Sequence, residues 1–179
     1  AGARTLYLAD EADGETRAVA RLGDDPNVRM NDGCCDPAGR LLAGSMTYDE
    51  TPGGGSLQRI DADLSISVVL PEVTISNGIG FTSEGSHAYY SDTAAGRVDV
   101  FDVSDGELVN RRPFVTVPSE IGAPDGLCIA ADGSVWVALW GGSVVHGYDS
   151  SGALIESIPL PVPQVSACTF GGHGLSTLF

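Results

Sequence analysis

Asn31, Asn77 and Asp125 stand 46 and 48 residues apart, each in a short glycine-bearing triplet: Asn31-Asp32-Gly33, Ser76-Asn77-Gly78 and Pro124-Asp125-Gly126. Two amide oxygens and a carboxylate are hard donors of the kind that hold Ca²⁺ or a similar divalent ion. For residues so distant in sequence to act on one ion, the fold must return the chain to one place with the same phase each time. Asn-Gly and Asp-Gly are also ordinary turn chemistry, so spacing alone admits either a cation site or plain structural repetition. Other chemistries lose support. All nine basic residues are Arg, which removes lysine Schiff bases and P-loops. There is no G-x-S-x-G or G-x-G-x-x-G, and His87, His146 and His173 match no zinc spacing. Cys34, Cys35, Cys128 and Cys168 contain no C-x-x-C and read as a buried, reduced set, which points to the cytoplasm. Cys34 and Cys35 lie close to the first triplet, but no neighbouring His or Lys would activate a thiolate there.

The elements that must position these residues are strands. Twenty-four Gly and ten Pro punctuate short runs rich in Val, Ile, Leu and Tyr across the 179 residues, and helical apolar periodicity is absent. The turns Asp36-Pro37-Ala38-Gly39, Ser83-Glu84-Gly85 and Ala131-Asp132-Gly133 each precede an apolar run (40–46, 86–93 and 134–140), and their glycines are 46 and 48 residues apart. A second run follows each time (56–61, 97–102 and 143–149), ending in Asp and a polar turn. With an inner strand expected just after each Asn/Asp-Gly triplet, a further run before a proline (65–70, 107–117 and 153–160) makes four per unit. Four strands per ~45 residues is the signature of a β-propeller blade. The chain therefore reads as all-β, a single partial propeller domain with blades near 31–76, 77–124 and 125–164 and partial blades at 1–30 and 165–179. Trp136, Trp140, Tyr89 and Tyr90 read as packing between blades rather than as a stacking platform.

Charge narrows the partners. Twenty-four acidic residues against nine Arg give a formal charge of −15 and a pI near 4.2, which disfavours nucleic acid and anionic membranes. No apolar run approaches the ~18 to 20 residues of a membrane helix.

Several motifs together resemble one family. Arg29-Met30-Asn31-Asp32-Gly33, Asp36-Pro37-Ala38-Gly39-Arg40 and Ala43-Gly44-Ser45-Met46 are similar to the R-x-N-D-G…D-P-x-G-R…A-G-T-M segment of the SMP-30/gluconolactonase/regucalcin-like family. Ile75-Ser76-Asn77-Gly78-Ile79-Gly80-Phe81, Tyr89-Tyr90-Ser91-Asp92-Thr93, Pro124-Asp125-Gly126-Leu127, Trp136-Val137-Ala138 and Pro163-Gln164-Val165 to Phe170-Gly171-Gly172 continue it in order. The resemblance implies a six-bladed propeller that hydrolyses sugar lactones with one divalent cation on its axis, Ca²⁺ first, with Zn²⁺, Mn²⁺ or Mg²⁺ as alternatives. It implies Asn77 and Asp125 as metal ligands, and Arg29, Asn31 and Asp49 as contacts to substrate hydroxyls and the lactone. The family's remaining ligand is a glutamate in a segment that would precede Ala1, and its closing strands would follow Phe179. The chain is thus expected to be an incomplete arc with reduced metal affinity and activity of its own.

Under this reading Asp125, or secondarily Asp32, accepts the proton of the attacking water. Each residue has a plainer role open to it: Arg29 can brace Asp32 or Asp49, and Asp32 can cap the turn at Gly33. The whole chain has two rivals to the lactonase: a non-catalytic calcium-binding or protein-binding propeller, and a metal-dependent esterase or phosphotriesterase. Oligomeric state is not legible.

Overall fold

The apolar runs form strands, and within each sheet they hydrogen-bond in sequence order, because a turn returns the chain antiparallel beside the strand it has just left. The computed structural model describes residues 3–12 and 14–179. Sixteen strands are present among them, with two 3-10 turns and no α-helix. β1 (Thr5–Leu8) pairs with β2 (Arg17–Arg21). Three four-stranded sheets follow in simple order: β3 (Val28–Cys35), β4 (Leu41–Thr47), β5 (Gly55–Ile60) and β6 (Ile66–Val73); β7 (Ser76–Phe81), β8 (His87–Asp92), β9 (Arg97–Ser104) and β10 (Glu107–Thr116); β11 (Ala123–Ile129), β12 (Val135–Trp140), β13 (Val144–Tyr148) and β14 (Leu154–Pro159). β15 (Phe170–Gly171) pairs with β16 (Thr177–Leu178). This is β-propeller architecture. The turn glycines Gly39, Gly85 and Gly133 have φ of 80°, 67° and 84°, the left-handed conformation that side chains resist.

The chain divides into two units, Ala1–Cys35 with Gly39–Ser76, and Asp36–Ala38 with Asn77–Phe179. In the first, Leu6 and Leu22 of the β1–β2 region bury against Ala43 of β4 and Ile60 of β5, with Val19, Ala20, Met30 and Leu41 packed around them.

In the second unit two sheets face each other. Tyr89, Val98, Val100, Val115 and Val117 of one meet Leu127, Val135, Val137, Leu139, Val144 and Tyr148 of the other. Phe114 lies edge-on to Tyr89 at 4.7 Å and to Tyr148 at 6.4 Å between ring centroids. The other face of β12 and β13 packs Ala138 and Val145 on Val165 and Cys168. With both faces covered, β12 carries the near-continuous apolar run Val135-Trp136-Val137-Ala138-Leu139 instead of an alternating pattern. The outermost strands are different. β6, β10 and β14 are largely exposed. β6 runs through Pro71 rather than ending before it, since an edge strand need not donate on its outer side.

Asp99 of β9, 2% exposed, accepts from Nε of Arg97 at 2.8 Å and from Nε of Arg111 of β10 at 2.7 Å, so a buried carboxylate faces two guanidinium groups. At three turns an Asp two residues before a Ser accepts that Ser's backbone N–H: Asp63 from Ser65 (2.9 Å), Asp132 from Ser134 (2.9 Å) and Asp149 from Ser151 (2.8 Å). These bonds, with those from the serine hydroxyls, hold all three carboxyls below the usual range.

Cys35 is exposed and Cys34 and Cys128 only half-buried, so the thiols are not a buried set; the Cys128 and Cys168 Sγ atoms lie 3.8 Å apart, in hydrogen-bond contact as free thiols. Trp136 does pack, edge-on to Phe170 at 5.5 Å, but Trp140 at the end of β12 is 43% exposed.

His146 supplies a pH prediction. Its ring is buried and its Nδ1 shares a hydrogen bond with the Tyr148 hydroxyl at 3.0 Å. Burial pushes its pKa below the ordinary 6.5, so the unfolded chain binds the proton more readily. The stabilisation is present above pH 6.5 and is lost as pH falls. The urea midpoint of the wild-type chain is expected to fall between pH 7.5 and 5, with a shallower fall in His146→Gln. Equal slopes would contradict this.

Candidate functional site

Asn77 and Asp125 both belong to the second unit, on β7 and β11, and each is only 8% exposed. The triplets that carry them lie inside these strands rather than before them. Neither Gly78 nor Gly126 adopts positive φ, so neither glycine serves a turn. Each serves close approach. A methyl group on Gly78 would lie 2.6 Å from the carbonyl oxygen of Asp125 and 2.6 Å from the amide nitrogen of Leu127. One on Gly126 would lie 2.7 Å from the carbonyl oxygen of Ser166, which accepts from the Gly126 N–H at 2.9 Å. Three successive inner segments therefore approach closely, backbone to backbone, at these glycines. Asn77 and Asp125 are brought to neighbouring places on touching strands.

A third residue joins them. Nδ2 of Asn77 donates to Oγ1 of Thr93 at 2.9 Å, and that hydroxyl donates to the carbonyl oxygen of Pro124, next to Asp125, at 2.8 Å. Thr93 escaped the reading of sequence, although it ends the motif Tyr89-Tyr90-Ser91-Asp92-Thr93. Beside it opens a cleft of about 310 Å³ whose wall includes Val117, Glu120, Gly122 and the exposed Trp140. A wider cleft of about 510 Å³, lined by His87, Arg112 and Asp132, belongs to the turns at the opposite ends of the same strands, away from Asn77 and Asp125.

The remaining candidates belong to the first unit. Nη1 of Arg29 donates to Oδ1 of Asn31 at 2.8 Å and to the Met30 carbonyl at 3.2 Å, so it meets an amide and a backbone oxygen rather than the carboxylate of Asp32 or Asp49. Asn31 donates through Nδ2 to the Ser76 carbonyl at 2.9 Å. Asp32 accepts the Gly33 N–H at 2.7 Å, the geometry of a local cap. Asp49, in the β4–β5 loop, accepts from the Thr51 hydroxyl at 2.9 Å; hydrogen bonds from Thr47 and Thr51 hold its carboxyl below the usual range. Asp49 is thus an ionised acceptor near neutral pH.

A family model for the SMP-30/gluconolactonase/LRE-like region matches residues 1–179. The chain belongs to that family. Regucalcin of Danio rerio is 36% identical over 167 residues, covering 90% of this chain and 57% of its own length. The pentonolactonase XacC of Haloferax volcanii is 37% identical over 169 residues, covering 93% and 57%. The crystal structure of a calcium-binding regucalcin from Agrobacterium tumefaciens superposes with a TM-score of 0.92 at 30% identity, covering 99% of this chain and 61% of that one. The chain thus spans about three fifths of the relatives it matches.

The family resemblance implies a divalent cation, and the second unit suits one in part. Asn77 and Asp125 are hard-oxygen residues held nine-tenths out of water on strands in backbone contact. Among the described residues no cluster of three or more His, Cys, Asp or Glu occurs; the candidate donors here are an amide and a carboxylate.

Proposed function

We propose that the protein containing this chain hydrolyses a sugar lactone to the aldonic acid, with Asn77 and Asp125 holding a divalent cation, Ca²⁺ first. The observation that carries this reading is the backbone contact at Gly78, which sets the strand bearing a buried amide against the strand bearing a buried carboxylate. Kinship with a pentonolactonase supports the substrate class, and kinship with calcium-binding regucalcin supports the ion.

When bound, the cation polarises the lactone carbonyl and lowers the pKa of water. The Asp125 carboxylate accepts the proton of the attacking water. Burial keeps bulk water from screening that carboxylate. Asp32 is the secondary choice as base, since one oxygen of its carboxylate already serves the Gly33 N–H. For the substrate's hydroxyls and lactone, the family resemblance points to Arg29, Asn31 and Asp49. Arg29 supplies a permanent cation, and Asp49 an ionised acceptor.

Chelation tests the proposal. Hydrolysis of D-glucono-δ-lactone and a pentonolactone, followed as acid release, is expected to fall to the uncatalysed rate in EDTA and to return with Ca²⁺, Zn²⁺ or Mn²⁺. A rate indifferent to chelator would retire the metal role. Calcium binding without turnover would favour the non-catalytic propeller.

A further inference from the structure

The Asn77–Thr93–Pro124 chain of hydrogen bonds carries an inference that deepens, and rests on, the metal reading. A carbonyl oxygen has no proton to give, so the Thr93 hydroxyl must spend its only proton on Pro124. It meets Asn77 as an acceptor, and the amide must present its NH₂ to Thr93. An amide whose two ends are otherwise hard to tell apart is thereby oriented. Its Oδ1 is turned away from Thr93, while the same hydroxyl pins the peptide bond that leads into Asp125.

Thr93 is itself held in place. It opens the 3-10 turn Thr93–Ala95, which closes at Gly96 with φ 62° and a Gly96 N–H bond to the Thr93 carbonyl at 3.1 Å. Its β-branched side chain has few rotamers to choose from. Pro124 is almost completely buried and Asn77 nearly so, which makes a lost hydrogen bond hard for water to replace.

We propose that Thr93 is a positioning residue for the cation site: one hydroxyl aims the Asn77 oxygen and fixes the Asp125 strand beside it. Removing the hydroxyl while keeping the shape, as in Thr93→Val, lets the amide turn its NH₂ toward the cation position. Partners that orient metal ligands commonly contribute 10 to 100-fold in affinity, and a loss of at least ~10-fold is expected here.

The test is calorimetric titration of the 179-residue chain with Ca²⁺, together with urea midpoints in EDTA. Thr93→Val is expected to bind at least ~10-fold more weakly than wild type, Thr93→Ser to bind within ~3-fold of it, and Asn77→Ala to bind no better than Thr93→Val. A purely structural role would lower the urea midpoint in Thr93→Val without moving the affinity. If Thr93→Val binds as wild type while Asn77→Ala does not, the positioning role is overturned and the metal reading stands. If wild type shows no saturable binding, or Asn77→Ala and Asp125→Asn bind as wild type, both are overturned.

Discussion

Asp125→Asn is expected to lower lactone turnover by about 10³-fold or more. The substitution keeps the size of the side chain and one oxygen, so β11 and its contact with Gly78 persist. What disappears is a negative charge on a residue only 8% exposed and a strong proton acceptor on the strand that touches the Asn77 strand. Loss of a general base accounts for about 10² to 10⁴-fold, and loss of ligand charge weakens the cation as well. Initial rates of acid release at saturating Ca²⁺ measure the effect. Turnover within twofold of wild type would place the chemistry elsewhere in the molecule.

The second large effect is expected from Gly78→Ala. The added methyl would sit 2.6 Å from two backbone atoms of β11, a separation that no side-chain rotation relieves, so the strands must part. Overpacking of this kind costs about 1 to 3 kcal/mol, and backbone on both sides places Gly78 at the upper end. The displacement acts on the two strands that bear Asn77 and Asp125, so calcium affinity should drop along with the urea midpoint. Gly23→Ala is the control, because a methyl there meets nothing within 4 Å. A Gly78→Ala chain with unaltered midpoint and affinity would mean that strand contact does not set the ligand spacing.

Much of the scaffold was legible because it repeats. The turns at Gly39, Gly85 and Gly133 and the runs after them could be read from their 46- and 48-residue intervals, and the strands β4, β8 and β12 begin within one residue of the expected starts. Asn77 and Asp125 were legible for the same reason. The role of their glycines was not, because an X-Gly dipeptide looks alike whether it bends a chain or lets another backbone approach. Thr93 was hidden more deeply: its importance is a hydrogen bond to a residue 31 positions away, and no periodicity reports that. Trp140 misled because alternation along β12 does not reveal that the last residue of the strand is 43% exposed.

The three Asp-x-Ser turns bear on how so acidic a chain tolerates its own repulsion. With 24 carboxylates and only nine Arg, most negative side chains have no cationic partner to meet. At Asp63, Asp132 and Asp149 the peptide N–H dipole serves as counter-charge instead. Charge that would otherwise push hairpin ends apart there fastens them, and the fastening requires no lysine.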